Sequence, residues 1–202
     1  MRLPDLTPAE LGDAQRALRE QILGGPRGTG PQHFPLVRAD GALTGPFGVM
    51  LHEPALGAPL QELGSAIRYA TGLSARTREI AILAVASATA STFEAYAHER
   101  VGRASGLTDD ELAALADGSF TSADPHEDAA HALCRRLVSD AGPGARMDDE
   151  TYAAYAAALG TTTLTELVVL VGYYRTLAQL LDVFDVGVPE EQPPSSAPSS
   201  RA

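Results

Sequence analysis

The sequence predicts an all-α fold, and three observations carry that prediction. Hydrophobic residues make up 45% of the chain but aromatics only 5%, with no tryptophan, so the apolar content is mostly Ala, Leu and Val. Ala and Leu are among the strongest helix formers. Helix-start signatures recur between Gly-containing breaks, and the segments they open carry helical rather than alternating apolar spacing. A chain of 202 residues can also bury one substantial core without disulfide or metal staples.

The elements follow in order. "LTPAEL" offers Thr7 as N-cap, Pro8 at the first helical position and Glu10 three residues after the cap, so a helix is expected over about 8–23. "GGPRGTG" (24–30) reads as a flexible turn that ends it, and a long irregular stretch is expected up to about Pro54. That stretch is too apolar for disorder: Phe34, Leu36, Val37, Leu43, Phe47, Val49, Met50 and Leu51 call for burial, which predicts a long ordered N-terminal loop against the helices, a pocket or a subunit contact. Within it, Asp40-Gly41 between two short apolar runs suggests a small hairpin. Seven further helices are expected at about 56–70, 75–89, 92–105, 109–117, 125–140, 148–158 and 163–184. A single helical domain should therefore span residues 1–186, followed by a disordered Pro/Ser-rich tail over 187–202.

Composition narrows the function classes. A formal net charge of −11 argues against a nucleic-acid partner, which needs clustered Lys and Arg. The single Cys134 excludes an intramolecular disulfide and any Cys-x-x-Cys motif, and it suits a reducing compartment. No run of eighteen apolar residues and no apolar leader stands in "MRLPDLTPAEL", so a soluble cytoplasmic protein without membrane contact is expected.

One stretch carries candidate chemistry: "STFEAYAHERVGRASGL" (91–107). On a helix Ser91, Glu94 and His98 fall within about 60° of one another and share a face. Two readings stand side by side. Ser-x-x-Glu is a capping box, used again in "TDDE" from Thr108 and "TLTE" from Thr163, and on spacing alone the cap is the expected role of Ser91 and Glu94. The other reading is an acid and an imidazole aimed into a cavity. Glu94 and His98 lack a third and fourth metal ligand nearby, and no phosphate loop or nucleophile elbow occurs, so no metal is expected.

The line "LSARTREIAILAVASATASTFEAYAHERVGRASGLTDDELAAL" (73–115) resembles the carboxymuconolactone decarboxylase and alkyl hydroperoxidase D-like proteins. In the peroxidase branch a helical acid is followed after twelve residues by Cys, then by a second Cys three further on and His four beyond. Counted from Glu79, those positions are Ser91, Glu94 and His98, so acid and imidazole are retained and both thiols replaced. Disulfide exchange needs a thiolate, which a serine hydroxyl does not provide at neutral pH. "FEAYAHERVGRASGLTDDEL" is closer to the decarboxylase-like branch, and the flanking segments 41–69 and 166–184 are similar to longer members.

The resemblance implies an alkyl hydroperoxidase D-like multi-helix bundle that assembles as trimers or hexamers, with sites near subunit contacts. It implies a lyase (decarboxylase) or isomerase that works by acid/base chemistry without a cofactor on a small carboxylated lactone or related carbonyl compound. His98 is then the acid/base, Glu94 its partner or the proton donor, and Glu79 the group that orients the pair. Ser91 would offer a hydroxyl to the substrate, with Phe47, Arg68 as carboxylate anchor, and Tyr173 or Tyr174 completing the pocket. The alternative is a non-catalytic oligomeric member of the same family that binds a ligand or supports assembly.

Overall fold

The computed structural model describes residues 2–139 and 146–189. Among them lie nine helices: α1 Asp13–Gly24, α2 Pro26–Thr29, α3 Pro46–Met50, α4 Pro54–Tyr69, α5 Ala75–Ala88, α6 Thr92–Ala104, α7 Asp109–Asp117, α8 Pro125–Val138 and α9 Asp149–Val183. The all-α class is as the sequence predicts.

The bundle is organised around α5. Every residue from Glu79 to Ala86 is buried, because this helix is apolar almost all round and packs against α6, α7, α8 and α9 at once. From Glu79 to Ala86 the helix has no solvent face on which to place a charge. Glu79 is therefore the exception that its surroundings must satisfy. The second long core element is α9, whose Leu167, Leu170, Val171, Leu177 and Leu181 are buried. By length and composition α9 could cross a membrane, but its buried side chains are part of the main core shared with α1, α5 and α8.

The N-terminal third differs from the sequence reading. Glu10 accepts from the Thr7 N–H at 2.9 Å, as a capping box would, yet this closes only a turn and α1 begins at Asp13. Gly12 is extended there, and its N–H donates to Gln15 Oε1 at 2.8 Å, a second start signal that displaces the first. The break lets Leu11 turn into the core. Likewise, the long loop expected up to Pro54 is not continuous. Two short helices interrupt it, each opening with proline after glycine at Gly25-Pro26 and Gly45-Pro46. Proline at the first helical position is preorganised for helix and loses no needed donor.

The small hairpin at Asp40-Gly41 is present. Val37 bridges Leu43 in antiparallel fashion, and Gly41 takes a φ of 85° in the turn, a conformation that favours glycine. Leu36, Leu43, Phe47, Val49, Met50 and Leu51 are buried as their character requires. At the other end, the two helices expected around Gly160 run as one element, broken locally where Gly160 adopts φ 75° and ψ 158°. The tail expected from 187 lies, beyond Pro189, outside the described residues.

Candidate active site

Three helices bring their polar side chains to one buried point. Glu79 enters from α5, fully buried; Glu94 and His98 enter from α6, and Arg68 from the last turn of α4. His98 Nδ1 lies 2.5 Å from Glu79 Oε2, and its Nε2 lies 3.3 Å from Glu94 Oε2. The imidazole is thus held between two carboxylates. The other oxygen of Glu79 faces Arg68 at 3.4 Å and Arg78 Nε at 3.6 Å.

This arrangement decides the electrostatics. Burial works against the charged form of His98, but Glu79 and then Glu94 outweigh it, and the imidazole is held above its ordinary range. Burial likewise works against ionised Glu79, yet His98, Arg68 and Arg78 outweigh it and hold the carboxyl below its ordinary range. The pair is therefore an ion pair in the interior. Arg68 keeps its charge despite burial, held by the Glu79 carboxylate at 3.4 Å. Tyr174 also sets its ring edge-on to the His98 ring at 5.2 Å, which fixes the imidazole plane.

The capping-box reading of "STFE" is overturned. Ser91 sits at the N-cap of α6, but its side chain makes no capping bond, and Glu94 has turned to His98 instead of back to the Ser91 amide. Ser91 Oγ and Glu94 Oε1 are both buried without a hydrogen-bond partner. Two unsatisfied polar atoms on one helix face cost stability, which points to a group that arrives there. By contrast the Thr108–Glu111 box of α7 is fully formed. Thr163 lies inside α9, where Glu166 accepts from the Gly72 N–H at 2.8 Å rather than capping.

The other sequence candidates sit around this centre. Tyr173 is buried and packs perpendicular to Tyr174 at 5.2 Å, and burial pushes its phenol up to about 12. Its hydroxyl abuts α4 so closely that a Cβ at Gly64 would stand 2.1 Å from it, so any larger residue there would displace the phenol. Phe47 lies in α3 with the Arg27 guanidinium 4.7 Å above its ring. Arg68, expected as a substrate anchor, is engaged with Glu79. Cys134 is buried in α8, and burial pushes its thiol up to about 12, which leaves little thiolate.

Sequence reasoning missed Arg78 and Arg27. Arg78 adjoins Glu79 in the chain, which was a usable signal; Arg27 stood in a segment read only as a turn. Two clefts of about 340 Å³ and 850 Å³ open on the surface, the first between α1, α2 and α4, the second between residues 33–45, α6 and the 186–189 segment. Neither is lined by Glu79, Glu94 or His98.

The helix order and packing define an alkyl hydroperoxidase D-like bundle. A protein of unknown function from Agrobacterium tumefaciens, provisionally assigned to antioxidant defence protein AhpD, superposes with a TM-score of 0.62 at 17% identity over 71% of this chain and 97% of its own. The debrominase Bmp8, a cysteine-to-alanine variant in complex with 2,3,4-tribromopyrrole, superposes with a TM-score of 0.64 at 13% identity over 94% of this chain and 92% of its own. Residues 54–135 match the carboxymuconolactone decarboxylase family. No curated protein matches the sequence.

Proposed function

We propose that this protein is a cofactor-free acid/base enzyme, a decarboxylase or isomerase acting on a small carboxylated lactone or related carbonyl compound. The observation that carries this reading is the buried imidazole between two carboxylates, with Ser91 Oγ and Glu94 Oε1 left unpartnered beside it. Glu79 fixes the His98 ring and its charge through Nδ1. In this reading a proton passes from His98 Nε2 by way of Glu94 Oε2 to the reacting carbon, and the return path runs back through the same two groups.

In decarboxylation the bond from carbon to carboxylate breaks and carbon dioxide leaves. The electron pair passes into the conjugated carbonyl as an enolate, and the proton from Glu94 is delivered to carbon. Ser91 Oγ, buried without a partner, would hydrogen-bond the enolate oxygen. An isomerase would use the same groups to remove a proton and return it elsewhere. Bmp8 in complex with a small planar ring is consistent with such a ligand in this fold.

The test is incubation of the purified chain with a panel of carboxylated five-membered lactones in deuterated water, followed by NMR. Loss of carbon dioxide or double-bond migration is expected with deuterium placed on the protonated carbon. A panel that yields neither reaction nor exchange would count against the proposal. The second reading, a non-catalytic binding or assembly member, draws on the fact that neither described cleft reaches His98 in the single chain. It predicts that outcome.

The same reading includes assembly with further copies of the chain, as a trimer or hexamer. Val168 and Val169 on α9 are 50% and 40% exposed and stand on a face that also carries Thr165, Gly172 and Thr176, with no charge among them. Sedimentation equilibrium is expected to give several times the 21.1 kDa chain mass. Val168→Asp is expected to reduce it, and a monomeric parent protein would refute the assembly.

A further inference from the structure

We propose that the cleft between α1, α2 and α4 is a binding site for a small carboxylate, with Arg27 as its counter-ion. This goes beyond the acid/base reading of the buried site and does not rest on it.

Arg27 is the carrying observation. Its Nε is buried without a hydrogen-bond partner, and no acid lies within ion-pair reach of its guanidinium among the described residues. A buried donor left unpaired is costly, more so when charged. The side chain is nevertheless held in place, because the guanidinium carbon sits over the Phe47 ring, 4.7 Å from its centre. A planar, oriented, unpaired guanidinium is the group that carboxylates select through two parallel hydrogen bonds.

Its surroundings suit a small acid. Arg27 lines a cleft of about 340 Å³ together with Gln61, Ser65 and Tyr69 of α4. Gln61 is buried and offers an amide; Tyr69 is 48% exposed and offers a ring face at the rim. The acid in the same wall, Glu62, is held by the Gln21 amide at 2.8 Å. The cleft therefore pairs one unmatched cation with neutral hydrogen-bonding groups, an aromatic surface and one carboxylate, Glu62, that is already bonded to an amide.

The test uses the full chain and two probes of equal shape, benzoate and benzamide, titrated by ligand-observed NMR in every variant, with the Arg27 Nε–H resonance as a further reporter in the parent. Benzoate is expected to bind more tightly and to shift that resonance. Arg27→Gln should weaken benzoate at least tenfold and leave benzamide unchanged, while Arg27→Lys should restore part of the preference. Ser65→Phe, which fills the cleft without altering charge, should weaken both probes. Equal affinities for the probes, no binding of either, or benzoate affinity unchanged in Arg27→Gln would overturn the assignment. His98→Ala should leave benzoate binding intact. If Arg27→Gln loses benzoate while His98→Ala keeps lactone turnover, the reaction reading fails and the cleft stands; the opposite pair of results sinks the cleft alone.

Discussion

Glu79→Ala is expected to lower the unfolding free energy by about 3–5 kcal/mol, the range for breaking a buried ion pair from one side. The substitution leaves Arg68 and His98 in the interior, with side chains 13% and 8% exposed, after their shared anion has gone. His98 can escape by releasing its proton. Arg68 cannot, because a guanidinium stays charged in proteins, so most of the loss falls on it. Glu79→Gln keeps the volume and one hydrogen bond and should cost less. The urea midpoint reports both, and a loss below about 1 kcal/mol for the alanine variant would show that the pair contributes little beyond specificity.

The same pair gives stability a characteristic dependence on pH. His98 has its pKa raised in the folded state above its ordinary 6.5. Its contribution is therefore complete below 6.5 and is lost as pH rises through the folded value. Glu79 has its pKa lowered below its ordinary 4.5, so its contribution is complete above 4.5 and is lost as pH falls through the folded value. Between these limits the ion pair stabilises most. The difference in unfolding midpoint between the parent and Glu79→Gln should peak at pH 4.5–6.5 and shrink on either side.

What the sequence could and could not disclose follows from which forces are local. The helices of the second half are set by apolar spacing and by caps such as Asp124 and Thr108, which act within a few residues, and they were readable. The spacing of Glu79, Ser91, Glu94 and His98 was readable too, because helices fix which residues share a face. The role of Ser91 and Glu94 was not, since Ser-x-x-Glu has one spacing whether the glutamate turns back to the amide or forward to a histidine. That choice is made by Glu79 across the α5–α6 contact, which charges the imidazole and attracts Glu94. The breaks before α1 and within the expected loop depend on how Leu11, Phe47 and Met50 reach the core, a tertiary matter. Arg27 gave no signal because its significance lies in what it lacks, an acid brought near by folding.

His98→Ala is expected to reduce turnover of the accepted lactone by about 10²–10⁴-fold, the range for loss of a positioned general acid or base. Glu94→Gln should fall in the same range if Glu94 delivers the proton, because an amide cannot give one up. Ser91→Ala should cost less, since it removes only a hydrogen bond to the developing oxyanion. The obvious rival explanation is structural, as His98→Ala also leaves a void beside Tyr174 and removes a partner of Glu79. Two readouts separate the cases. Imidazole added to His98→Ala should restore part of the rate if the ring is needed as a proton carrier, and not if the fold is damaged. The limb of the rate profile belonging to His98 should vanish in the variant, while the midpoint of urea unfolding stays within reach of the parent. Unchanged turnover in His98→Ala, with the variant folded, would remove the proton-transfer role from this site and leave the ion pair as a structural feature of the α5–α6 contact.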